Sequence, residues 1–182
     1  MKEHDKAETL KRKYPPSLKD NIHTILYGSK PEKEKIQGQF FHLADTPKFM
    51  KRLGLKGAYF SIRYGVIARH KNKDADHNLT EQNWIDLCNV ITKPLAIAKY
   101  GEGYRLFTSV KTDGKYIVVG VDIKNIEKGS DVNSVSTAFK YNQTKQGNED
   151  VIYIEKELTP EQAALLDGLN SLSLPPDQGP GR

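Results

Sequence analysis

The stretch Tyr104-Arg105-Leu106-Phe107-Thr108-Ser109-Val110-Lys111-Thr112-Asp113-Gly114-Lys115-Tyr116-Ile117-Val118-Val119-Gly120-Val121-Asp122-Ile123 holds two β-rich runs on either side of Asp-Gly. Asp-Gly at that place predicts a hairpin, because a two-residue turn needs left-handed backbone that glycine adopts freely and aspartate tolerates. From Ile117 to Val121 nearly every residue is apolar. That is the pattern of a central strand covered on both faces, with helices packed on at least one of them.

Strand signals continue outward from this hairpin. Upstream, Lys93-Pro94 breaks a helical pattern before the strand Leu95-Ala96-Ile97-Ala98. Downstream, Val132 to Phe139 reads as a strand rich in hydroxyls; simple alternation places Val135, Thr137 and Phe139 on one face and Ser134, Ser136 and Ala138 on the other. Its hydroxyls either find partners within the sheet or are offered to a ligand. Lys140-Tyr141-Asn142 leads into a polar loop, Gln143 to Asp150, which reads as a substrate-contacting element or a surface turn. Val151 to Ile154 is the last strand, and Thr159-Pro160-Glu161-Gln162 combines N-cap, first-turn proline and capping-box glutamine at the head of a helix running to about Leu169.

Toward the N-terminus, Thr80 caps a helix on which Trp84, Leu87, Cys88 and Ile91 share a face, with Leu79 and Trp84 as a hydrophobic staple. Arg69 to Thr80 reads as the loop before it, with Val66-Ile67-Ala68 leading in. Ala58 to Arg63 and Gln39 to Ala44 read as strands; between them Thr46-Pro47 starts a short helix, Lys48 to Leu53, that Gly54 closes. Ser17 caps a helix with Ile22, Ile25 and Leu26 as its apolar stripe, and Ser29 to Lys35 reads as a charged linker. The expected organisation is a charged N-terminal arm with a short helix over 1–35, an α+β domain of helices on a twisted antiparallel sheet over 36–172, and a disordered tail over 173–182.

Composition sets outer bounds. The 182 residues suit one domain, and 37% apolar against 28% charged is a polar balance. No run is long enough for a membrane span, and the first residues lack the apolar segment of a signal peptide, so the expectation is a soluble chain acting in the cytoplasm by an unspecified delivery route, with no membrane partner. The single Cys88 excludes an internal disulfide and a multi-cysteine zinc site. Net charge is +5, but residues 36–124 carry fourteen Lys/Arg against eight Asp/Glu, and from Thr46 to Lys73 there are eight cations and no acid. Such a field attracts polyanions, RNA first among them, and Tyr59, Phe60 and Tyr64 offer stacking surface nearby.

His77, in the loop before a well-anchored helix, is placed for general acid or base work, since its ordinary pKa lies near neutrality and packing can hold its ring. The chain also resembles the phage-associated barnase/EndoU/colicin/RelE-like nuclease domains found at the C-terminus of MuF-type phage head proteins and among polymorphic toxins. The resemblance covers roughly residues 36–157 and rests on the order of Phe41-His42-Leu43, Thr46-Pro47, Leu53-Gly54-Leu55, Asp76-His77-Asn78-Leu79, Thr92-Lys93-Pro94, Asp113-Gly114-Lys115 and Val135-Ser136-Thr137-Ala138-Phe139. It implies a metal-independent ribonuclease without cofactor, a hydrolase of toxin type, whose active site lies on the concave face of the sheet. His77 matches the family's histidine before the helix, Ser136 and Thr137 its hydroxyl pair, and either Arg69 or Lys93 its basic partner. Asp76 stands where a lysine is expected before the histidine, and Phe139 where tyrosine is common.

Cleavage of RNA by its own 2′-hydroxyl needs a base, charge at the phosphorane and an acid for the leaving oxygen. The residues expected to supply these are His77, Arg69, Lys93, Ser136, Thr137 and Tyr141, with His70 in reserve and Lys71, Lys73, Arg63 and Lys140 on the substrate. The expected partners are RNA, tRNA among the candidates, and an acidic immunity or antitoxin protein complementary to the basic middle. Two other readings compete: a non-enzymatic RNA- or partner-binding module on a degenerate nuclease fold, and an ADP-ribosyltransferase built around Ile154-Glu155-Lys156-Glu157. A metal hydrolase using His70, Asp74, Asp76 and His77 lacks any established ligand spacing.

Overall fold

Asp113 (φ 51°) and Gly114 (φ 74°) both take left-handed backbone, so the turn closes as Asp-Gly predicts, with Thr112 opposite Lys115. The computed structural model describes residues 17–71, 73–127, 130–142 and 150–173. In chain order the elements are α1 (Leu18–Tyr27), α2 (Lys30–Ile36), β1 (Phe40–Asp45), α3 (Lys48–Arg52), β2 (Tyr59–Arg63), α4 (Tyr64–His70), α5 (Glu81–Val90), β3 (Ala96–Tyr100), β4 (Gly103–Thr112), β5 (Lys115–Glu127), β6 (Ser130–Lys140), β7 (Asp150–Ile154) and α6 (Pro160–Ser173). This is the expected α+β class.

The seven strands form one sheet in the order β1-β2-β6-β5-β4-β3-β7. Every pairing is antiparallel except β2 with β6, which runs parallel through Phe60↔Asn133, Ser61↔Ser134 and Ile62↔Val135. From Tyr116 to Val121 strand β5 is buried on both sides. Ile117, Val119 and Val121 join a cluster with Trp84, Leu87 and Cys88 of α5 and Ile22, Ile25 and Leu26 of α1. Tyr116 and Val118 join a second cluster with Phe107 and with Leu166 of α6. Each large apolar side chain enclosed in this way contributes about 1.5–3 kcal/mol of transfer free energy.

The packed unit begins earlier than Ile36. Ser17 and Asp20 make a reciprocal capping box, and the stripe of α1 lies in the main core rather than on an arm. Ser29 to Lys35 is not a linker but most of α2, held by a second capping box between Ser29 and Glu32 and burying no side chain. Periodicity gives no sign of such a helix, because it has no apolar face. Helix α4 is a further correction: Val66, Ile67 and His70 are buried on it, so Arg69 and His70 belong to a helix and not to a loop. Of the loop predicted from Gln143 to Asp150, residues 143–149 lie outside the described residues, as do the arm Met1 to Pro16 and the tail from Leu174, while Asp150 opens β7.

Alternation also fails in β6. Gly120 pairs with Thr137 but Val121 pairs with Val135, so Ser136 is the extra residue of a bulge. Val135 and Ala138 therefore face the same main cluster, while Phe139 turns to the second one.

One buried polar side chain fastens the β1–β2 connection to the sheet. Asn133 is fully buried; its Nδ2 donates to Thr46 Oγ1 (2.9 Å), Leu55 O (3.2 Å) and Gly57 O (3.3 Å), and its Oδ1 accepts from Gly57 N (3.1 Å). A Cβ on Gly57 would sit 2.4 Å from Asn133 N, so only glycine allows this approach. Replacing Asn133 by Ala strands buried donors and acceptors. We expect a loss of about 3 kcal/mol in urea unfolding, on the basis of net hydrogen-bond worth plus desolvation. An unchanged midpoint would refute the structural role of Asn133.

Candidate functional site

The site arises where β2 stops. Pairing with β2 ends at Val135, which leaves the far half of β6 with an open edge. The chain covers that edge with the end of α4 and the loop behind it. Ala138 N donates to His70 Nε2 (3.4 Å) and Lys140 N to Asp76 O (2.8 Å), so both edge donors are satisfied.

His70 is buried, and its Nδ1 lies 2.6 Å from Val66 O. That carbonyl only accepts, which fixes the tautomer: Nδ1 carries the proton and Nε2 is left as acceptor. Thr137 Oγ1, 2.9 Å away, then donates to Nε2. Burial is the main cause that holds the His70 imidazole below its ordinary pKa. The bond to Val66 acts against it, and the charges of His77, Lys73 and Arg69 act with it.

His77 takes the outer place. Its Nδ1 is 2.7 and 2.9 Å from the two oxygens of Asp74, whose Oδ1 also accepts the His77 backbone N–H at 2.9 Å. This double hold keeps the Asp74 carboxyl below its usual range and orients the ring. The ring centroid lies 5.3 Å from His70 and 5.9 Å from Phe139. Asp74, Asp76, His77, Arg105, Phe139, Lys140, Tyr141 and Asn142 line an open cleft of about 240 Å³. Of its lining, Phe139 and Tyr141 belong to the second cluster.

Gly120 makes this side of the cleft possible. It is the cross-strand partner of both Arg105 and Thr137, and a Cβ there would come within 2.6 Å of Thr137 Cγ2. Without a side chain at 120, Arg105 and Thr137 sit across the same gap.

The set of residues expected from the sequence is thus divided. His77, His70 and Thr137 come together, and Tyr141 and Lys140 line the cleft with His77. Ser136 is half-buried in the bulge. Arg69 points back along its own helix, Nε to Gly65 O at 3.0 Å. Lys71 donates to Leu26 O at the end of α1, where its charge favours the helix terminus. Arg63 lies over the Phe40 ring, and exposed Lys73 and Lys93 are outside the cleft lining. The eight-cation stretch is split as well. Lys48, Lys51, Arg52 and Lys56 are exposed and outside the cleft lining, and Lys56 pairs with Asp131 at the start of β6, roughly 25 Å of strand from Phe139. Of the segment offered for the ADP-ribosyltransferase reading, Glu155 accepts from Tyr153, and neither Glu155 nor Glu157 lines the cleft.

Sequence reasoning missed Arg105, Asp74 and Asn142. Asp74 stands three residues before His77, which was a visible signal; Arg105 gave none, since its strand also carries Ser109 and Lys111. Among the described residues, no group of three His, Cys, Asp or Glu side chains is arranged to hold a metal ion, and no helix is long and apolar enough to cross a membrane.

Fold and site together describe an α+β domain with a histidine-bearing cleft at a sheet edge. The sequence model of the phage MuF C-terminal domain family matches residues 68–161, just over half of the 182, and the chain belongs to that family; it is a phage-associated domain. The matched segment holds every residue that lines the cleft. No curated protein and no solved structure gives a match.

The lowered pKa of His70 has a consequence for stability. On acidification the unfolded chain takes up a proton near 6.5 before the folded chain does. The contribution of neutral His70 is therefore complete above about pH 6.5 and is lost as pH falls through the lower folded value. Between pH 7.5 and 5.5 the wild-type protein is expected to lose more stability in urea than His70→Gln, by at most about 1.4 kcal/mol per pH unit. Equal losses in the two proteins would show that burial does not hold His70 neutral.

Proposed function

We propose that this domain is a metal-independent endoribonuclease of the toxin type and that the cleft is its active site. The observation that carries the reading is His77, held at Nδ1 by Asp74 and lining a cleft with two cations, Arg105 and Lys140. With Nδ1 occupied, Nε2 is the working nitrogen. It accepts the proton of the RNA 2′-hydroxyl as that oxygen attacks the adjacent phosphorus.

Arg105 and Lys140 take the charge that the expected set gave to Arg69 and Lys93. The Lys140 ammonium is also paired with Asp113 (Nζ to Oδ2 2.6 Å), which holds the Asp113 carboxyl below its usual range and fixes the lysine beside the cleft. The Tyr141 phenol is the nearby group for hydrogen bonding to the phosphorane oxygens, whereas the Thr137 hydroxyl gives its one proton to His70 and ties β6 to α4 behind the cleft. The 5′-oxygen leaves with a proton from solvent water in the open cleft, the hydroxide so formed takes the proton from His77, and the products are a 2′,3′-cyclic phosphate and a free 5′-hydroxyl. His70 acts through Thr137 and is a positioning residue. The natural inhibitor of such a domain is a protein with an acidic face for the cleft and the exposed cations of α3.

The test is incubation of purified protein with total RNA and with tRNA in EDTA, followed by end mapping. Wild type should leave 2′,3′-cyclic phosphate ends, His77→Ala should lose at least about a hundredfold in rate, and its circular dichroism should stay unchanged. Full activity in His77→Ala would remove this mechanism. RNA retained on the protein but never cut would make the domain a binding module.

A further inference from the structure

Planar groups run in a file across the cleft. Tyr100, 40% exposed, lies under the Arg105 guanidinium, with Cζ 3.5 Å from the ring centroid. The same Cζ is 5.1 Å from the Phe139 centroid, and Phe139 is 5.9 Å from His77. Beyond His77 come His70 at 5.3 Å and, against His70, the buried Trp84 at 5.8 Å. The inner members are fixed by burial and hydrogen bonds, while the outer four are exposed or half-buried.

The spacings differ in a useful way. Tyr100 and Arg105 are in stacking contact, whereas the two gaps around Phe139 are wider than a stacked pair. The half-buried Phe139 ring thus stands in the cleft between a guanidinium plane and an imidazole, with apolar support behind it from Val118 and Phe107. Single-stranded RNA is held by this kind of surface: unstacked bases lie on aromatic rings or on arginine planes, and duplex bases are not free to do so.

We propose that Tyr100, Arg105 and Phe139 form a nucleobase-stacking subsite that places one unpaired base of single-stranded RNA beside His77. The inference rests on the nuclease reading for the identity of the ligand, and it defines that substrate as single-stranded. Asp74, Asp76 and Asn142 at the rim face the edge of a base held there and supply hydrogen-bond acceptors and an amide donor. In this role Phe139, which replaces the tyrosine expected there, is a binding surface rather than a proton donor.

The test uses the full chain and a short all-2′-O-methyl RNA, which cannot be cut, carrying 2-aminopurine at each position in turn. Binding should quench the fluorescence at one position, and an abasic residue at that position should weaken affinity about tenfold or more. Arg105→Lys, which keeps the charge and loses the plane, and Phe139→Leu, which keeps the apolar bulk, should weaken the intact oligonucleotide similarly. Phe139→Leu should leave binding of the abasic one unchanged. The complementary duplex should bind more weakly than the single strand. Equal affinity for intact and abasic strands, unchanged fluorescence at saturation, or no binding at all overturns the subsite. If wild type cuts RNA while the abasic strand binds equally well, the stacking proposal falls and the nuclease reading stands. If quenching and the abasic loss appear but no RNA is cut, the subsite stands and the nuclease reading falls.

Discussion

An unfinished strand edge governs this molecule. Strand β6 is long, and its parallel partner β2 covers it only from Asn133 to Val135. Backbone donors beyond that point need acceptors, since an unpaired edge is costly when buried and adhesive when exposed. The solution uses His70 and the Asp76 carbonyl, and it brings the histidine loop against the sheet. The cleft exists because the loop that completes the edge also carries His77, held by Asp74 three residues before it.

The bulge at Ser136 follows from the same place. An extra residue rotates β6 so that Val135 and Ala138 share the helix-covered face, and Thr137 and Phe139 remain for the other. Gly120 opposite leaves space for the Thr137 methyl, and Arg105 one strand further completes the row. Sheet irregularity and site chemistry are thus the same set of residues.

Much of the fold was legible in the sequence because local signals and tertiary demands agree there. Asp113-Gly114 can only turn one way, the apolar run of β5 has to be enclosed, and Thr80 and Thr159 carry their capping partners three residues on. What was not legible lacked a periodic signal: α2 has no buried face, and α4 is two turns with Gly65 inside it. The site was read in half. His77 and Thr137 stood out as residue types, but the partner of His77 could not be chosen among Arg69, His70 and Lys93 by spacing alone. Burial of His70 between Val66 and Thr137 depends on β6, which is far away in sequence. Arg105 was hidden for the opposite reason, because strand periodicity describes which residues are enclosed and says nothing of a cation opposite a glycine.

The parallel join of β2 to β6 also orders events in time. Hairpins among β3, β4, β5 and β6 close over short stretches of chain, whereas Phe60 meets Asn133 only after a much longer loop has been closed, at greater entropic cost. The neighbourhood of His70 and Thr137 is therefore assembled late, once both halves of the polypeptide have met. Backbone amide exchange at Ala138 and Lys140 during refolding reports that moment directly.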